Sequence, residues 1–152
     1  NSISKIIGIC AYKKDFKCLL ASKKSKGFIY NPEESPKVQK NGKQIFNLKK
    51  EDKLIKMIYP LNKFVATVSS YQKLLIFNIN EIPELKKSSG VLLQQIKDGD
   101  LCDVQLIDNN EGLQWNIGKQ LRQEKNFDFW FGKRAQVGKK VPKRFNKELK
   151  FI

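Results

Sequence analysis

The chain has 152 residues, an apolar fraction of 40% and a formal charge of +15, from thirty lysines and arginines against fifteen acids. That length fits one domain with its own core, and that charge implies an anionic partner, nucleic acid before an acidic membrane surface. No apolar run approaches the roughly 18 residues of a membrane helix, residues 1–10 lack the layout of a signal peptide, and neither an amphipathic basic helix nor a lipidation signal favours a membrane. In chain order, residues 3–12 with Ile3, Ile6, Ile7, Ile9 and Cys10 form a first candidate strand. A strand over 17–21 follows, then the basic turn Ser22-Lys23-Lys24-Ser25-Lys26-Gly27 and a returning strand at Phe28-Ile29-Tyr30. Residues 31–36 hold two prolines and read as a loop. Asn41-Gly42 signals a hairpin, with strands over 44–48 and 54–59 after it. Apolar runs at 64–68, 74–79, 91–96 and 101–107, separated by turn residues, read as antiparallel strands. Ile82-Pro83-Glu84-Leu85 is a candidate helical turn.

Residues 17–62 align on 64–109 without a gap, at a constant offset of 47. Identities include Ser22/Ser69, Lys26/Lys73, Ile29/Ile76, Glu34/Glu81, Pro36/Pro83, Lys40/Lys87 and Leu54/Leu101. A fixed period of that length marks stacked or radial units, and the short strands make the fold all-β and propeller-like. The expected units are 1–16 (the end of an earlier blade), 17–63, 64–110 and 111–152, within a single domain. The last is irregular: Leu113-Gln114-Trp115-Asn116 answers the strand at Ala66, and one inserted residue brings Gly138 opposite Gly90 and Leu149 opposite Leu101. The cluster Phe127-Asp128-Phe129-Trp130-Phe131 is expected to plug the last unit rather than stack on single-stranded bases.

Catalysis has no foundation in this stretch. There is no histidine, no GxxxxGK[ST] loop and no convincing pair of carboxylates. Cys10, Cys18 and Cys102 are far apart and lack a CxxC; they read as reduced thiols, Cys10 and Cys102 as small buried apolar groups, and no zinc site is expected. Lys97-Asp98-Gly99-Asp100 lacks the spacing of a calcium loop and reads as a turn.

Basic residues recur at equivalent positions: Lys40 and Lys43, then Lys86 and Lys87, then Lys133 and Arg134. Lys23, Lys24 and Lys26 are echoed by Lys73 and Lys119, and the terminal stretch adds Lys139, Lys140, Lys143 and Arg144. Units arranged about an axis would place these on one rim, a positive track for a bent duplex. Binding there would release counterions, with strong salt dependence and little regard for sequence.

Several of these segments resemble a known family. Lys40-Asn41-Gly42-Lys43-Gln44-Ile45-Phe46-Asn47-Leu48, Lys73-Leu74-Leu75-Ile76-Phe77 with Ile82-Pro83-Glu84-Leu85, and Gly90-Val91-Leu92-Leu93-Gln94 with Lys97-Asp98-Gly99 resemble the C-terminal domain of DNA topoisomerase IV A subunits. The tail Gly132-Lys133-Arg134-Ala135-Gln136-Val137-Gly138 with Pro142-Lys143-Arg144-Phe145 is similar to the end of that domain in its alphaproteobacterial form. The resemblance runs from about residue 16 to 145. It implies a β-pinwheel, related to the gyrase A C-terminal domain, whose neighbouring blades exchange strands and whose basic rim binds and bends DNA. It assigns the rim role to Lys40, Lys43, Lys86, Lys87, Lys133, Arg134, Lys139 and Lys140. It also implies three partners: duplex DNA, the topoisomerase IV B subunit through the core, and the remainder of the A subunit. The setting it implies is a bacterial cytoplasm, at the nucleoid. The fragment needs no cofactor, since the ATP and magnesium sites of the parent enzyme and its nicking tyrosine lie elsewhere. The glutamine-arginine-glycine-rich box with which gyrase wraps DNA is absent from this stretch, which leans toward topoisomerase IV.

Overall fold

A computed structural model describes residues 5–32 and 40–152. It contains strands and two single 3-10 turns. β1 (Cys18–Ser22), β2 (Lys26–Tyr30) and β3 (Leu54–Ile58) form the first sheet; β4 (Phe64–Ser69) and β5 (Lys73–Asn78) begin the second. β6 (Glu84–Leu85) and β7 (Val91–Leu92) leave the second repeat and close the outer edge of β2. β8 (Leu101–Ile107) pairs with β4, and β9 (Leu113–Ile117) with β10 (Gln120–Glu124) makes a separate hairpin. β11 (Lys139–Lys140) pairs with β5, as β7 does with β2.

Continuous apolar runs arise because the central strands are covered on both faces. Alternation sorts them: Leu19 and Ala21 of β1 join Val65, Leu75 and Phe77 in a core between the two sheets, while Cys18 and Leu20 face the other way toward Phe28 and Phe46. Ala66, Val68, Leu74 and Ile76 turn toward Leu113, Trp115, Phe127 and Phe151. Each fully buried large aliphatic or aromatic chain contributes about 1.5–3 kcal/mol.

The ladders repeat in register. Leu19 faces Ile29 and Ile58; Ala66 faces Ile76 and Gln105. The irregularity between Ala21 and Ser22 recurs between Val68 and Ser69. The parallel contact Ile29–Glu84 recurs as Ile76–Phe131. Gly90 and Gly138, both at positive φ, are where the donated segment meets the acceptor strand. A Cβ on Gly90 would lie 2.8 Å from the Gly27 nitrogen, and one on Gly138 2.5 Å from the Leu74 oxygen.

Several expected elements differ. Residues 5–12 are not a strand: they lie along β3, with Gly8 against Met57 and Tyr59 Oη donating to the Ile9 carbonyl at 3.4 Å. The beginning of that strand, at residues 3–4, and the part of the proline loop over 33–36 lie outside the described residues. Residues 44–48 form only a parallel bridge, Phe46 to Ser88, because this segment pairs with the crossing chain of the next repeat. Among the described residues no strand follows Asn41-Gly42 directly, although Gly42 has the positive φ of a turn. Of residues 91–96 only Val91–Leu92 is strand, and it pairs with β2. The helical turn falls earlier, at Ile79–Glu81, because Asn78 caps it by accepting from Asn80 N at 3.0 Å. Leu149 packs into the core but is in no strand. Cys18, not Cys10 or Cys102, is the fully buried thiol, and burial pushes it up to about 12. The aromatic plug is half realised: Phe127 is buried and Trp130 packs beside it, while Phe129 and Phe131 are exposed.

Candidate nucleic-acid interface

The two basic turns share one construction. Ser22 Oγ accepts from Lys26 N at 3.1 Å, and Ser69 Oγ accepts from Lys73 N at 3.3 Å. The identities Ser22/Ser69 and Lys26/Lys73 thus have a local reason: each serine closes a turn containing a residue at positive φ, Ser25 in one and Gln72 in the other. Equivalent main-chain contacts dock the following repeat on each turn. Leu93 N donates to Ser25 O at 2.8 Å, and Val141 N to Gln72 O at 3.0 Å.

Cations gather beside these turns. Lys24 and Lys26 share a groove with Lys49 and Lys50, floored by Ser89 and Gly90 and containing Glu51 and Asp52. Beside Gln72, Lys140, Lys143, Arg144 and Lys147 share a second groove that holds no acid. Asp100 bridges the two turns. Its carboxylate meets Lys24 Nζ at 2.9 Å and Lys23 Nζ at 3.2 Å, and its main chain holds Ser70 through Ser70 N to Asp100 O and Asp100 N to Ser70 Oγ. The hydrogen bond to Lys24 holds the Asp100 carboxyl below the usual aspartate range and raises the Lys24 ammonium.

Over 151 residues the chain is 40% identical to the DNA topoisomerase 4 A subunit of Rickettsia bellii (strain RML369-C), in a match covering 99% of this chain and 20% of that protein. It is 32% identical over 148 residues to the corresponding DNA topoisomerase 4 protein of Caulobacter vibrioides, covering 97% of this chain and 19% of that protein. The chain is similar to DNA topoisomerase 4 A subunits along almost its entire length. It spans about a fifth of the length of the curated relatives it matches. The E. coli ParC C-terminal domain superposes with a TM-score of 0.72 at 17% identity, covering 88% of this chain and 58% of that one. The gyrase A C-terminal domain gives 0.69 at 21% identity, over 84% and 46%. These neighbours establish the all-β pinwheel fold. No family profile matches the sequence.

Within this topoisomerase IV-type pinwheel the expected rim residues take different positions. Lys40, Lys43, Lys86, Lys87, Lys119 and Lys133 are exposed on connecting segments. Lys73 is half-buried in β5, and its carbonyl accepts from Gln94 Nε2 at 3.1 Å. Lys139 lies over the Phe129 ring, 4.5 Å from its centroid. Arg134 departs from its expected role. Its Nε donates to Glu81 O at 2.8 Å, its Nη1 to Leu92 O at 2.7 Å, and its main-chain N to Glu81 Oε1 at 3.0 Å. It fastens the third repeat to the second, because two inward-facing carbonyls there need a forked donor.

Lys49, Lys50 and Lys147 belong to the grooves without having been singled out by sequence. Their signal was the like-charge run each sits in. Nothing local marks Asp100, whose role depends on a partner 76 positions away.

Proposed function

We propose that this chain is a non-catalytic DNA-binding and DNA-bending module of a type IIA topoisomerase, guiding a duplex to the catalytic core for supercoil relaxation and decatenation. The observation that carries this reading is the pair of cationic grooves beside structurally equivalent turns of consecutive sheets. The first offers Lys24 and Lys26, the second Lys140, Lys143 and Arg144, with Lys23 at the bridge between them. Lys40, Lys43, Lys73, Lys86, Lys87, Lys119, Lys133 and Lys139 are further contacts in this reading; Arg134 serves the fold. Bending a short site by 40–90° costs about 1–6 kcal/mol, which several phosphate contacts offset. The protein partners would be the remainder of the A subunit, with the B subunit reached through it. ATP and magnesium would be handled there, in the bacterial cytoplasm at the nucleoid. No helix among the described residues is long and apolar enough to cross a membrane.

The test is a salt titration of duplex binding by fluorescence anisotropy, with end-labelled duplexes reporting bending by energy transfer. The expected result is a linear fall of log K against log salt with a slope of several units, and end-to-end shortening on binding. Weak association independent of duplex length would instead make the module a protein-interaction scaffold.

A further inference from the structure

The first two sheets are completed by one rule. A segment of the following repeat closes the outer edge of β2 and then of β5, first by a parallel contact (Ile29–Glu84, Ile76–Phe131), then antiparallel after a glycine at positive φ. β10 is the third acceptor in this series. Among the described residues only β9 pairs with it, so its other edge presents main-chain donors and acceptors to solvent.

The chemistry of this edge differs from that of the filled ones. Arg122 stands opposite the buried Trp115, a place held in the second sheet by the buried Leu74 opposite Val68. Among the described residues its Nε is buried without a hydrogen-bond partner, while its Nη2 donates to Gln120 Oε1 at 3.3 Å. Lys140, Lys143 and Trp130 line the same groove, with Glu124 the one acid. An apolar donor like the one that delivers Leu93 to the core would leave the Arg122 charge uncompensated. A second copy paired symmetrically across this edge would set Arg122 against Arg122, in a chain already carrying +15.

We propose that the open edge of β10 takes an extended, acidic peptide segment of a partner protein as an added strand, with Arg122 pairing one of its carboxylates. Main-chain hydrogen bonds supply affinity, and the cationic groove selects the sign of the side chains. Nucleic acid satisfies the charges but offers no amide ladder, so the edge itself favours a peptide.

The test titrates the isotope-labelled 152-residue chain, followed by amide resonances, with three capped seven-residue probes. One alternates glutamate with valine, one alternates glutamine with valine, and the third is the glutamate probe with alternate amides N-methylated. The glutamate probe is expected to shift and protect the amides of Gln120–Glu124 and to bind about tenfold tighter than either control. Arg122→Gln is expected to erase its advantage over the glutamine probe, and Arg122→Lys to retain much of it. Equal binding of the N-methylated probe, or shifts confined to the Lys23–Lys24 turn, overturns the proposal by showing charge attraction alone. Shifts at β10 with a short duplex but not with the glutamate probe overturn it in favour of DNA. Should Arg122→Gln unfold, the N-methylated comparison on the unaltered chain still decides.

Discussion

The two places where one repeat is fastened to the one before it share a backbone and differ in everything else. At the first, between β2 and the β6–β7 segment, the chains meet at Gly27 and Gly90, and Lys87 points into solvent. At the second, between β5 and the β11 segment, Arg134 stands at the position equivalent to Lys87 and drives its guanidinium onto two carbonyls. The grooves differ in the same way. The first is tempered by Glu51 and Asp52, and its Lys24 is held by Asp100, whereas the second has four cations and no acid. A common register therefore dictates where the chain crosses. Individual side chains decide how tightly it is held and how strongly each groove attracts phosphate.

The largest disturbance of this comparison comes from the glycine contact. Gly90→Val forces a β-branched residue into positive φ, with its Cβ 2.8 Å from a main-chain nitrogen. Urea denaturation is expected to show a loss of about 3 kcal/mol or more, or no folded protein. Arg134→Met attacks the second junction instead. It leaves the Glu81 and Leu92 carbonyls without their donors, for a loss of about 1–3 kcal/mol in the same assay. Lys87→Met, at the equivalent first-junction position, should cost under about 0.5 kcal/mol.

Smaller effects sharpen the contrast between the grooves. Replacing Lys140, Lys143 and Arg144 together by alanine should lower the salt-dependence slope of duplex binding by about 3 units if each meets a phosphate. Asp100→Asn should act oppositely, tightening duplex binding a few-fold, because Lys23 and Lys24 no longer spend their charge on an internal carboxylate. Since the Asp100 carboxyl is held below its ordinary value, the pair contributes stability above that value and loses it only as pH falls through the lowered one. The Asp100→Asn gain should accordingly stay constant from about pH 6 to pH 8. A gain that vanishes at the basic end of that range would break this account of the first groove.

Much of this was legible in the residues themselves. The apolar runs at 64–68 and 74–79 became β4 and β5, since a strand buried on both faces needs apolar sequence throughout, and the run at 101–107 became β8 although Asp103 and Gln105 interrupt it. The paired Ser22/Ser69 and Lys26/Lys73 identities reported a turn that each serine closes within four residues. Two-residue strands such as β6 and β11 carry no such pattern. Neither does the choice of Arg134 over Lys87 as a fastener, nor that of Asp100 as a counter-charge.

Sequence alone determined the buried central strands β1, β2, β4 and β5 and the excess of positive charge, because these follow from local hydrophobic pattern and simple composition. Tertiary structure alone decided which edge each short segment completes, which cations face solvent and which are tied to carbonyls or Asp100. Those outcomes depend on partners dozens of residues away, and a pairing energy between distant groups leaves no periodic trace in the chain.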